Sequence, residues 1–161
     1  MLLFYVVCVG IISLERLSTG KRFSQSRISS LTNRGKLRFM IYEGALNTAI
    51  FLSFLRRLVR EAARKLFVIV DNLPVHRARR VTAWVQDHAD QIELVYLPPY
   101  APEHNPDEFL NNDLKQTMAR RRTPRDKAAL KSGLTSYLRS LQRCPAKVRT
   151  FFQASTVRYA A

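Results

Sequence analysis

Two short apolar runs constrain this chain most. Residues 66–70 (LFVIV) are uninterrupted and stop at Asp71-Asn72; residues 92–97 (IELVYL) stop at Pro98-Pro99. Runs this short and this rich in β-branched residues suit strands buried inside a sheet. Between them, residues 76–89 carry Val81, Trp84, Val85 and His88 at helical spacing. A strand, a helix and a second strand in this order give a parallel βαβ unit, which needs helices on both faces of its sheet. Trp84 at that spacing reads as core and Tyr96 as part of the second strand.

The flanking segments extend the pattern. Residues 2–13 are Val-, Ile- and aromatic-rich and read as a buried strand. A short strand near 26–32 closes at the Asn33-Arg34-Gly35 turn, and residues 36–43 alternate Leu37, Phe39 and Ile41 against polar positions. Asn47 and Thr48 offer N-caps to an amphipathic helix over 48–63, with Ile50, Phe51, Phe54, Leu55 and Leu58 on one face. After the loop PPYAPEHNP, Pro106 suits the first turn of a helix. Thr123-Pro124-Arg125-Asp126 predicts another helix start, followed by the stripe Leu130, Leu134, Leu138 and Leu141. Antiparallel strands followed by β-α-β units predict an α/β fold with a partly parallel, mixed sheet flanked by helices; this order is that of ribonuclease-H-like domains, and doubly wound folds share part of the pattern. The expected organisation is an apolar leader at 1–17, an α/β core at 18–122 and a basic helical extension at 123–161.

Charge is distributed unevenly. Of 161 residues, 27 are Lys or Arg and 12 Asp or Glu, a formal net charge of +15. Residues 1–60 hold ten basic and two acidic residues, 61–114 five and nine, and 115–150 eleven and one. Basic flanks attract polyanions, since neutralised phosphates release counterions. An acidic middle suits carboxylates that hold a divalent metal beside a nucleic-acid backbone. Other classes are excluded. The opening apolar run of twelve residues is short of the roughly 20 that span a bilayer. Two cysteines make neither a disulfide framework nor a zinc site, so a reduced cytosolic compartment is the simplest home. Five glycines, none in a Gly-rich loop after a strand, exclude a Rossmann-like nucleotide enzyme.

The acids have informative positions. Asp71 closes a buried strand, where ligands of open α/β sheets bind. Glu108, in Asn105-Pro106-Asp107-Glu108, opens a helix, where its charge is favoured. Thirty-six residues lie between them, enough for one helix, one strand and one loop. Neighbouring parallel strands then bring both carboxylates to one sheet edge. Mg²⁺ takes hard oxygen ligands and keeps several waters. Two ions about 3.5–4 Å apart can activate a nucleophile and stabilise a leaving phosphodiester oxygen, normally with a third carboxylate to share them. His76 and His104 flank the acids and Asn72 and Asn105 adjoin them; each reads either as a support for the carboxylates or as a cap or loop residue. Lys115 and Arg120, Arg121 and Arg122 follow, and Tyr100 stands in the loop; these are the candidates to touch DNA, with a solvated helix end as the other reading of the arginines.

The segment VIVDNLPVH at 68–76, followed by LVYLPPYAPEHNPDEFLNNDLK at 94–115, resembles the DDE-type transposases of bacterial insertion sequences in the mariner-like superfamily. RGKLRFMIYEGALNTAIFLSFL at 34–55 resembles that family's third strand and following helix. The resemblance covers about 20–161. It implies a ribonuclease-H-like fold, a Mg²⁺ or Mn²⁺ cofactor, and DNA strand cleavage and joining at transposon ends and target DNA. It makes Asp71 the second and Glu108 the third catalytic, metal-binding acid, with Asp107 at a variable position. It further implies a bacterial, cytoplasmic, nucleoid-associated protein that pairs with itself or with full-length transposase, away from membranes.

One departure stands out. The family's first catalytic Asp lies on the first strand, yet no Asp precedes residue 71, and Glu15 and Glu43 are the only acids there. Residues 1–17 do not match the family, and its helix-turn-helix region is absent. The expectation is the C-terminal part of a transposase, begun at an internal start or after a frameshift, and inactive or weak alone. Glu15 is a substitute only if the first strand slides. The alternative is a non-catalytic DNA-binding or regulatory fragment.

Overall fold

A computed structural model describes residues 5–18 and 20–161. Five strands, β1 (Tyr5–Ser18), β2 (Lys21–Thr32), β3 (Leu37–Tyr42), β4 (Leu66–Val70) and β5 (Ile92–Tyr96), form one sheet in the order β3-β2-β1-β4-β5. β1, β2 and β3 are antiparallel neighbours, whereas β4 runs parallel to β1 and β5 parallel to β4. This is the expected mixed sheet. β1 is central and pairs on both sides, so residues 5–17 lie in the sheet. β2 is longer than the 26–32 expected, because its polar first half pairs residue by residue with β1 as far as Lys21 opposite Ser18. The turn from β2 to β3 closes with Gly35 at φ 87°, a conformation that favours glycine, and Gly35 N–H donates to the Thr32 carbonyl at 2.9 Å.

Helix α1 (Thr48–Glu61) starts where Asn47 caps it, its side chain accepting from Ile50 N–H at 2.9 Å. Phe51, Leu52, Phe54, Leu55 and Leu58 are buried against Val7, Val9, Ile28, Val68 and Val70 on one sheet face. Phe54 is fully buried, so Phe54→Ala costs about 3–5 kcal/mol. The segment expected as one helix over 76–89 splits into a 3₁₀ turn (Pro74–Arg77) and helix α2 (Arg79–Asp87). Pro74 opens the turn, and Ala78 breaks the helical backbone at ψ 143°. Trp84 packs against this core, stacked on His88.

Three helices cover the other face: α3 (Pro106–Arg120), α4 (Lys127–Gln142) and α5 (Pro145–Thr150). Leu110, Leu114, Leu130, Leu134 and Leu138 meet Cys8, Ile12 and Leu31 there. The start of α4 corrects the expectation at Thr123. Asp126 is the N-cap, accepting from Ala129 N–H at 2.7 Å, so the helix begins three residues later. A final 3₁₀ segment, Ser155–Ala160, returns to the loop before α3. Among the described residues, no helix is long and apolar enough to cross a membrane.

Candidate active site

β4 delivers Asp71 to the carboxyl edge of the sheet, half-buried. Cys8 pairs with Ile69 in the parallel β1–β4 register, so the β1 residue level with Asp71 is Gly10. Asn105 joins these strands to helix α3. Its amide donates to the Val9 carbonyl at 3.0 Å and to Asp71 Oδ1 at 3.1 Å, while its oxygen accepts from Asp107 N–H at 3.0 Å as the helix N-cap. One buried side chain therefore fixes β1, the carboxylate ending β4 and the first turn of α3 relative to each other.

Glu108 sits in that first turn. Burial pushes its carboxyl above the usual range, and the charges of Asp107 and Asp71 push it further, with Lys115 pulling the other way. The three acids thus share one field. Asn111 Nδ2 donates to Glu108 Oε1 at 3.4 Å.

Asp107 is fully buried under α3 and is not the incidental neighbour the sequence suggests. Arg27 of β2, also fully buried, ion-pairs with its Oδ2 at 3.3 Å, and Ser29 Oγ donates to Oδ1 at 2.5 Å. The guanidinium also donates to Ser29 Oγ and Asn111 Oδ1. Burial raises the Asp107 carboxyl, opposed by Arg27. A Cβ at Gly10 would overlap the Asp107 carboxylate. The space a β1 side chain would occupy level with Asp71 is therefore filled from the helix.

The other candidate residues separate. His76 is buried against Phe51, and its Nδ1 donates to the Asp71 main-chain carbonyl at 2.7 Å, so it holds the end of β4; burial lowers its pKa. Tyr96 hydroxyl donates to the His76 carbonyl at 3.0 Å. Asn72 accepts from Arg77 at 2.5 Å. His104 turns toward the C-terminal segment, its Nδ1 donating to the Thr156 carbonyl at 2.9 Å. Tyr159 of that segment donates to the His104 carbonyl; its hydroxyl is raised first by burial and then by Cys8 and Asp71, which places the C-terminal turn near the site. Lys115 is close enough to Glu108 to lower its pKa, whereas Arg120, Arg121 and Arg122 are exposed at the far end of α3. Tyr100 is fully exposed. Glu15 pairs with Arg22 at 3.7 Å, five residues beyond Gly10 and so about 16 Å along β1. It does not replace a carboxylate at Gly10.

Among the described residues, no group of three or more His, Cys, Asp or Glu side chains could hold a metal ion. The donor set here is two partly open carboxylates, Asp71 and Glu108. Such a pair could take one hard cation whose other ligands are waters. Asp107 adds nothing to that set, because Arg27 and Ser29 already engage its oxygens.

Residues 13–131 match the family model described as DDE superfamily endonuclease. The chain belongs to that family. The DDE endonuclease assignment agrees with a relative from Shigella sonnei, the insertion element IS630 uncharacterized 39 kDa protein, 32% identical over 76 residues. That match spans 46% of this chain and 22% of the relative's length. The fold resembles the catalytic domain of Mos1 mariner transposase at TM-score 0.70 and 15% identity, covering 97% of this chain and 82% of that one. It also resembles the Mos1 transposase paired-end complex with left transposon end, at TM-score 0.69 and 13% identity, covering 99% of this chain and 56% of that one. The DDE endonuclease fold here is thus the ribonuclease-H-like fold expected from the sequence.

Proposed function

We propose that this DDE endonuclease domain binds DNA through its basic surface and holds a single divalent cation, Mg²⁺ or Mn²⁺, between Asp71 and Glu108, with feeble strand cleavage and joining. The observation that carries this is Asp71 and the first turn of α3 bound through Asn105 to a strand whose level residue is Gly10. Relatives of the same fold are described with Mg and with Mn. When bound, the cation would neutralise charge on a phosphodiester and acidify a coordinated water or hydroxyl. Asn105 orients the Asp71 carboxylate, and His76 fixes the backbone that carries it. Lys115, near enough to Glu108 to lower its pKa, would meet a phosphate bound there, and Arg120 at the end of α3, with Arg121 and Arg122 just beyond it, would follow the backbone. With two carboxylates in place of three, Asp71 and Glu108 would hold one ion and a second would lack protein ligands, which is why we assign weak chemistry to the chain.

The same charge distribution supports a second reading. A DNA-binding fragment with little catalysis would pair with itself or with a full-length transposase at transposon ends and suppress it. Such a protein would work at the bacterial nucleoid.

The test is an assay of end-bearing and random DNA with Mg²⁺ or Mn²⁺, comparing the chain with Asp71→Ala. The expected result is salt-sensitive DNA retention by both, with cleavage within a few-fold of the Asp71→Ala background. Vigorous strand transfer abolished by Asp71→Ala would overturn the weak-chemistry reading. Absence of DNA retention would overturn both.

A further inference from the structure

A groove of about 310 Å³ opens beside Asp71. Its walls include Leu73, Pro98, Pro99, Tyr100 and Pro102. Four large hydrophobic side chains are exposed among the described residues, and two of them, Leu73 at 41% and Tyr100 at 101%, flank this groove. Single exposed apolar residues are ordinary, but two facing one cleft beside an acid are an arrangement. Tyr100 has φ 58°, the only positive φ outside glycine among the described residues. A bulky residue in that region is strained, and such strain concentrates at functional sites. Pro98, Pro99 and Pro102 stiffen the loop around it, so the backbone that carries the ring has little further entropy to lose on binding. Asn72, another groove residue, accepts from Arg77, which lies 4.0 Å over the Tyr96 ring. A fixed cation therefore stands at the rim.

We infer that this groove seats one unpaired nucleobase, the neighbour of the phosphate at Asp71 and Glu108, with Tyr100 as its stacking platform and Arg77 beside its phosphate. The inference rests on the DNA reading above. An aromatic ring stacks on any base, so the groove is sequence-tolerant. A base inside a duplex already has both faces covered, so the occupant must be unpaired or flipped out. The groove thus selects frayed, nicked or tailed ends over intact duplex.

The test compares two DNAs in Mg²⁺ by fluorescence anisotropy: a blunt duplex, and the same duplex with a short single-stranded tail whose first unpaired base is 2-aminopurine. The chain is expected to prefer the tailed DNA and to quench its 2-aminopurine. Tyr100→Phe keeps both effects. Tyr100→Ala binds tailed DNA about 5- to 100-fold more weakly and blunt duplex unchanged. Tyr100→Gly loses the preference while raising the melting temperature, because it relieves the backbone; a role in holding the loop would lower both. Tail preference that survives Tyr100→Ala would overturn the inference, as would equal weakening on both DNAs. Self-association lost in Tyr100→Ala with tail preference intact would assign the groove to a protein surface and overturn it too. DNA retention without tail preference removes this inference alone, whereas no retention removes the DNA reading with it.

Discussion

Gly10 and Asp107 share one volume: the Asp107 carboxylate stands where a side chain on β1 at position 10 would begin. Strand and helix thus compete for one place in the site. Gly10→Asp overpacks that place and sets a second carboxylate against Asp107, so it is expected to destabilise the fold by about 1–3 kcal/mol or more. Asp107→Ala leaves Arg27 buried and unpaired, costing about 3–5 kcal/mol. In Gly10→Asp/Asp107→Ala the new carboxylate has room and Arg27 regains a counter-charge. Denaturant unfolding of the four proteins should give a favourable coupling of more than about 1 kcal/mol. Additive costs would show that the two positions do not compete.

The Arg27–Asp107 pair is buried on both sides, so removing one partner and removing both differ in consequence. Arg27→Met strands a buried carboxylate, with an expected loss of about 3–5 kcal/mol at neutral pH. Arg27→Met/Asp107→Leu should recover most of it, because an apolar replacement leaves no unpaired charge. Chemical denaturation at neutral pH measures both. A double variant as unstable as the single one would contradict the account.

Burial lowers the His76 pKa, and its Nδ1 donates to the Asp71 carbonyl. The folded state therefore binds fewer protons than the unfolded chain as pH falls through the ordinary histidine range near 6.5. Stability contributed by neutral His76 is present above that range and is lost progressively below it. Unfolding free energy should drop between about pH 7 and pH 5, and His76→Phe should flatten that part of the profile. An unchanged profile would show that the ring titrates freely.

If Arg120, Arg121 and Arg122 track phosphates, replacing all three with Gln weakens binding to every sequence alike. Each lost phosphate contact reduces the slope of log affinity against log salt by about 0.9 on duplex DNA. A reduction of about 1–3 is expected from binding isotherms at several salt concentrations. An unchanged slope would place the DNA on another face.

The parallel core was legible because Leu66–Val70 and Ile92–Tyr96 are short, apolar and separated by a helical pattern. Asp71 and Asn105 were legible because each sits where an element ends. Arg27 was not. A β2 strand reading Ser26-Arg27-Ile28-Ser29-Ser30 looks solvated, and the helices packed over it bury the arginine, with Asp107 and Asn111 of α3 accepting from its guanidinium. Asp107 was hidden likewise: beside Glu108 in a first turn, the two acids look equivalent, and the register that sends one inward appears only with the packing. The α4 boundary was missed because Thr123 and Asp126 both precede helix-compatible residues, and Asp126 captures the Ala129 N–H. The contact of the C-terminal turn with His104 is long-range and leaves no local signal.

Calorimetric titration of Mn²⁺ into the chain, beside Asp71→Asn and Glu108→Gln, tests the central claim most directly. Glu108 is held at a raised pKa by burial and by its acid neighbours, so a cation that relieves this repulsion should bind and raise the melting temperature. The account predicts one cation per chain, lost in both variants, with a rise in melting temperature that only the unaltered chain shows. Two cations per chain, or binding that survives both substitutions, would contradict it.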